Sequence, residues 1–101
     1  MAIVKNLNRV MGDTYPIKIQ NLKIDGATVD LSNSIGDLKY NKNGQIITII
    51  GSQGDVDGNM QFEPSALDFD TLGKFKYDIT IDDGEYITTY FSGVISVEES
   101  I

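Results

Sequence analysis

Four oxygen-bearing side chains, Asp55, Asp57, Asn59 and Glu63, fall in or beside a glycine-containing loop and make the one cluster in the chain with ligand character. Hard oxygen donors at alternate positions can wrap Ca²⁺. The spacing departs from an EF-hand: Gly58 comes two residues early, position 66 is Ala rather than the bidentate Glu, and no helical pattern flanks the loop. Asp55, Asp57 and Asn59 are therefore retained only as a weak metal candidate, and a mobile turn between two strands is the preferred reading. Other carboxylates also sit at turns: Asp68 and Asp70 in one segment, Asp82, Asp83 and Glu85 in another. Acid/base pairs need burial to drive their pKa values apart, which turn tips in water do not supply. Serines and threonines are plentiful, but the chain has no histidine and no cysteine. No hydroxyl has an evident base, no thiolate exists, and no catalytic residue or cofactor is expected. No Gly-rich stretch leads into a helix N-terminus, so a phosphate cradle is absent as well.

The elements that would position any site read as strands. Tyr15, Ile17 and Ile19 alternate with polar residues after Pro16, and the phase breaks at Asn21 before an Asp25-Gly26 turn. Leu38 and Tyr40 lie on a second alternating run. Asn43-Gly44 then marks a hairpin into Ile46, Ile47, Thr48, Ile49 and Ile50, a β-branched block expected to be buried on both faces. A connection over residues 51–59 leads to a short strand with Met60 and Phe62, stopped by Pro64. Leu67, Phe69 and Leu72 are expected to plug one end of the core from a turn or short 3₁₀ segment.

Register can be tested in the last hairpin, residues 73–98. Phe75, Tyr77, Ile79 and Ile81 alternate with polar residues. An Asp83-Gly84 loop would pair them with Tyr86, Thr88 and Tyr90. A three-residue loop, Asp82-Asp83-Gly84, pairs them with Ile87, Thr89 and Phe91 and buries more aliphatic surface. This second register puts Phe75, Tyr77, Ile87 and Phe91 in the core. It places Tyr86, Thr88 and Tyr90 outward beside Lys76, Asp78 and Thr80. Exposed aromatics on a strand face are typical anchors of protein contacts, so Tyr86, Thr88, Tyr90, Lys76 and Asp78 form the candidate interface. The competing reading is that another strand or the N-terminal segment covers the two tyrosines.

The chain has 101 residues, 41% of them hydrophobic, enough for one core and one domain spanning 1–101. About seven strands with regular turn signals predict an all-β, Ig-like antiparallel β-sandwich, with an open barrel as the alternative. Residues 1–13, carrying Ile3, Val4, Leu7, Val10 and Met11, fit either a first strand or a docking arm. A net charge of −7 repels phosphate backbones and anionic membranes, and no apolar run has signal-peptide or membrane-span length. Neither nucleic acid nor membrane is expected as a partner, and synthesis in the cytoplasm is.

Several segments taken together carry a family likeness: Gly12-Asp13-Thr14; Asp25-Gly26-Ala27-Thr28-Val29-Asp30-Leu31; Gly73-Lys74-Phe75-Lys76-Tyr77-Asp78-Ile79; and Ser92-Gly93-Val94-Ile95-Ser96-Val97-Glu98-Glu99. With them the chain resembles the N-terminal Ig-like domain of tailed-phage baseplate upper proteins and related small Ig-like virion proteins. The resemblance implies a non-enzymatic adaptor or decoration module, localised to the virion after synthesis in the host cytoplasm. Its partners would be other capsid, tail or baseplate proteins, with homo-oligomerisation possible. Baseplate proteins continue beyond this domain, which raises a free-standing capsid decoration or head-fibre protein. A carbohydrate-binding or calcium-stabilised adhesion module is the alternative, and its signature would be exposed aromatics near an acidic loop.

Overall fold

The computed structural model describes residues 2–99, and among these there is no helix. The fold is all-β. Ten strands follow in order: β1 (Ile3–Val4), β2 (Leu7–Val10), β3 (Ile17–Ile19), β4 (Lys23–Ile24), β5 (Ala27–Thr28), β6 (Ile35–Lys42), β7 (Gln45–Ile50), β8 (Met60–Phe62), β9 (Gly73–Asp82) and β10 (Ile87–Glu98). The expected count of about seven is exceeded because the N-terminal segment contributes two short strands and the Asp25-Gly26 turn closes two more.

Six strands form one sheet in the order β1-β10-β9-β6-β7, with β2 also on β10. The β6–β7 and β9–β10 hairpins are joined by antiparallel pairing of β6 with β9, where Leu38 meets Ile79 and Tyr40 meets Tyr77. The sheet is mixed rather than purely antiparallel, since β1 and β2 run parallel to β10. Within the segment 1–13, residues 3–4 and 7–10 are therefore strands of the chain's own sheet.

One face of this sheet packs against the β3–β8 ribbon. Leu38 and Tyr40 of β6, Ile49 of β7, Phe75, Tyr77, Ile79 and Ile81 of β9, and Ile95 and Val97 of β10 form a core with Ile17, Ile19, Met60 and Phe62. Period-two alternation explains this, because successive side chains of a strand point to opposite faces. A methyl group at Gly36 would lie 2.5 Å from Met60 Sδ, so the bare backbone there is what lets β8 cross so closely. Phe69 is fully buried and stacks on Tyr40 at 5.7 Å. It alone plugs the core end, since Leu67 and Leu72 are exposed.

The Asn43-Gly44 turn forms as expected, with both residues at positive φ (52° and 94°) and Lys42 paired to Gln45. Two other expectations fail. The block Ile46–Ile50 is not buried on both faces: β7 is an edge strand, Ile46 and Ile50 are 59% and 70% exposed, and only Ile49 is fully buried. In the last hairpin Asp82 pairs with Ile87, leaving a four-residue turn over 83–86, and a bulge at Tyr90 shifts the register between Thr89 and Phe91. From Phe91 onward odd residues of β10 face odd residues of β9 as expected, with Phe91 opposite Ile79 and Ile95 opposite Phe75. Before the bulge the faces are reversed, so Ile87 is exposed rather than core.

Candidate functional site

The bulge separates the five interface candidates. Tyr86 lies in the turn and is exposed. Thr88 stands opposite Ile81 on the core side, yet near the hairpin tip it remains exposed. Tyr90 is partly buried and packs against the core cluster, which corrects its assignment to the outward face. Lys76 and Asp78 do lie on the outer face, opposite Val94 and Ser92. The structure thus keeps two of the five together.

Those two belong to a larger surface built by five strands. Asp78 also faces Lys39 of β6, Lys39 faces Thr48 of β7, and Val4 of β1 faces Ser92. A shallow trough here includes Val4, Lys39, Ile46, Lys76, Asp78 and Val94 along its walls. Among the described residues the ion pairs are Arg9 with Asp13 and Lys42 with Asp70, so Lys39 and Lys76 flank Asp78 without either closing a pair on it. A hydrogen-bonded sheet therefore presents two ammonium groups, one carboxylate and exposed aliphatic side chains. This suits a protein surface more than a small molecule. Lys39, Ile46, Val4 and Val94 are not among the interface candidates read from sequence, because which strands neighbour one another is not encoded in local alternation.

The acidic clusters are engaged by their own turns. Asp55 Oδ1 accepts hydrogen bonds from the amides of Asp57 (3.0 Å) and Asn59 (3.1 Å), and Oδ2 accepts one from Asn59 Nδ2 (3.1 Å). These bonds, led by those from Asn59, lower the pKa of Asp55. Asn59 Oδ1 in turn accepts the Asn21 amide (2.8 Å). Asp55, Asp57 and Asn59 are thus brought together, but two of them hold the loop rather than converge on a vacant centre. No group of three potential acidic, histidine or cysteine ligands occurs among the described residues. Asp83 Oδ1 likewise accepts the amides of Tyr86 (2.7 Å) and Glu85 (2.9 Å), and its pKa is lowered by them. Asp68 accepts the Ser65 amide and Asp70 the Lys42 ammonium.

The N-terminal strands are tied down by contacts that local sequence patterns do not specify. Between β1 and β2 the chain bends over Gly93. Lys5 donates its amide to Ser92 O (2.8 Å), Asn6 Oδ1 accepts the Val94 amide (3.1 Å), and Tyr77 Oη donates to Lys5 O (2.5 Å). Arg9, 8% exposed, lies over the Phe69 ring at 5.1 Å and donates to Tyr15 O. Its Nε sits 3.6 Å from Asp13 Oδ2 without a hydrogen-bond partner among the described residues. Burial lowers the Arg9 pKa, and Asp13 opposes that shift. A recess of about 240 Å³ between this N-terminal segment and β3 is floored by core side chains including Ile17, Ile19, Tyr77 and Phe91. No helix of the described residues is long and apolar enough to cross a membrane. No family model matches the chain, and no curated protein matches it.

Proposed function

We propose that the chain is a non-enzymatic bacteriophage structural protein. In this reading it is an Ig-like β-sandwich adaptor or decoration module, and it binds capsid or tail components through the outer face of its six-stranded sheet. The observation that carries it is the surface around Asp78, where Lys39, Lys76, Val4, Ile46 and Val94 are displayed on one rigid sheet. The six-stranded sheet covered by the β3–β8 ribbon supports a sandwich, and the resemblance in the turn and strand-end segments supports the virion as its setting. The acids engaged by their own turns, together with the absence of histidine and cysteine, favour contact over catalysis.

The test is occupancy in particles. Imaging of intact virions locates the protein on head or tail, and the paired substitutions Lys76→Glu and Asp78→Lys report on the face. The expected result is at least a tenfold loss of binding, equivalent to about 1.4 kcal/mol, with the melting temperature retained. Full occupancy by the doubly substituted, folded protein overturns the assignment of this face.

A further inference from the structure

Both edges of the six-stranded sheet can be compared, and only one is guarded. On one side β1 and β2 are two and four residues long and are interrupted at Lys5 and Asn6. On the other, β7 runs six residues, Gln45–Ile50, with no proline, no charge and no register shift against β6. An edge of that kind is a template for another strand, and natural sheets usually blunt it with lysine, proline or a bulge.

The orientation of the free backbone groups follows from the ladder. The two-residue turn makes Lys42 and Gln45 a hydrogen-bonded pair, and Gly51 donates to Gly36 O at 2.7 Å six residues on. Alternation between these ends turns the backbone groups of Ile47 and Ile49 toward β6 and those of Ile46, Thr48 and Ile50 outward. After Ile50 the chain leaves the edge, since Gly51 bridges Phe62. The sequence of the open stretch, Ile46-Ile47-Thr48-Ile49-Ile50, reads the same in both directions about Thr48.

The geometry points to a second copy of this chain as the occupant, paired antiparallel along β7 about a twofold axis at Thr48. Thr48 then faces Thr48 of the second copy, and exposed Ile46 faces exposed Ile50 of the second copy on either side. A palindrome makes this isologous register match side chain for side chain on both faces. Charge permits it. Residues 43–54 form a twelve-residue uncharged stretch in a chain of net charge −7; in the only other stretch of that length, 86–97, the part from Phe91 onward lies between β9 and the β1–β2 strands, and the open start of β10, Ile87–Tyr90, is blunted by the bulge. On the outer face the nearest cations, Lys39 of each copy, would be three strand spacings apart, about 14 Å. That exceeds the Debye length of about 8 Å at physiological salt. The short seam buries less than the about 1,200 Å² of a stable complex, so the pair is weak and reversible. This inference stands independently of the virion reading.

Sedimentation of the whole chain between about 10 μM and about 1 mM reads the association. The expected result is a concentration-dependent rise that saturates at two chains. Thr48→Lys and Thr48→Glu should each weaken pairing at least tenfold without lowering the melting temperature, and an equimolar mixture of the two should pair again. Position 48 facing itself also places the two α-carbons about 5.5 Å apart, within the about 4.4–6.8 Å of a disulfide. In a chain without native cysteine, Thr48→Cys should therefore cross-link under oxidation while Ile46→Cys does not. A single-chain mass throughout, growth beyond two chains, a mixture that stays unpaired, or equal cross-linking at 46 and 48 overturns the proposal.

Discussion

A single methyl group at Gly93 should loosen the N-terminal strands, and the size of the effect can be worked from distances. A Cβ at this position would lie 2.2 Å from Lys5 O, 2.8 Å from Lys5 C and 3.1 Å from Asn6 Oδ1. The first is roughly 1 Å inside the about 3.3 Å at which carbon and carbonyl oxygen touch. The obstacle is backbone, so relief requires residues 5 and 6 to retreat by about that amount. Three hydrogen bonds then stretch or break: Lys5 to Ser92, Val94 to Asn6, and Tyr77 to Lys5. At about 0.5–1.5 kcal/mol each, their loss destabilises by about 1.5–4.5 kcal/mol. Gly93 is not in the left-handed region, so alanine also narrows the unfolded ensemble, which stabilises by about 0.4–1 kcal/mol. The expected net effect of Gly93→Ala is destabilisation by about 0.5–4 kcal/mol in urea unfolding. Hydrogen exchange should accelerate at the Lys5 and Val94 amides. Gly84→Ala is the control, because its Cβ meets nothing within 4 Å and only the positive φ (93°) is strained. A Gly93→Ala variant within about 0.5 kcal/mol of the parent, with Val94 protection unchanged, would refute the packing described here.

Tyr90→Ser should destabilise by about 1–2 kcal/mol, because a half-buried ring leaves the core, whereas Tyr86→Ser should stay within about 0.5 kcal/mol; equal effects in urea unfolding would contradict the bulge. Burial and the nearby Asp68 and Asp70 push the Tyr40 pKa up to about 12 from 10.0, so the folded state holds this proton more tightly than the unfolded state. Its contribution to stability is present below pH 10 and is lost as pH rises from 10 toward about 12; Tyr40→Phe should flatten that fall, and an unchanged alkaline profile would count against it. The lowered pKa values of Asp55 and Asp83 act at the other end, with stability present above the usual carboxylate range and lost as pH falls below about 4. Because Asp55 already accepts three bonds from its own loop, Asp55→Ala should lower the melting temperature with or without calcium, while millimolar calcium leaves the parent midpoint in place. A rise of several degrees on adding calcium would reinstate the metal site.

What could be read from sequence was whatever a local pattern determines. Asn43-Gly44 forms its turn because two successive positive φ angles demand those residue types, and alternation in β9 correctly put Phe75, Tyr77, Ile79 and Ile81 inside. The burial of Ile46–Ile50 is not legible locally, because a β-branched run looks the same in a central strand and at an edge. Only the sheet order, with β7 outermost, exposes Ile46 and Ile50. The bulge at Tyr90 had no glycine to announce it, and one unannounced residue reversed the faces of Ile87 and Thr88 while leaving those of Phe91 and Ile95 intact. Parallel pairing of β1 and β2 with β10 joins residues nearly ninety positions apart, and no spacing rule reaches that far.

The two edges of the sheet place opposite demands on the chain. At the β1–β2 edge, side chains replace missing ladder bonds: Asn6 accepts the Val94 amide where the strand is interrupted, and the nearly buried Arg9 reaches Tyr15 O and Phe69 from β2. Burying a guanidinium whose Nε lacks a partner offsets much of what its contacts contribute, so Arg9 supports position more than stability. No comparable device occurs along β7, where three outward backbone positions and two exposed isoleucines are left to solvent in a chain that guards its other edge. Association there would leave the outer face around Lys76 and Asp78 accessible, since the twofold extends the sheet sideways rather than covering it. One copy could thus hold a neighbour along its edge and a different partner on its face.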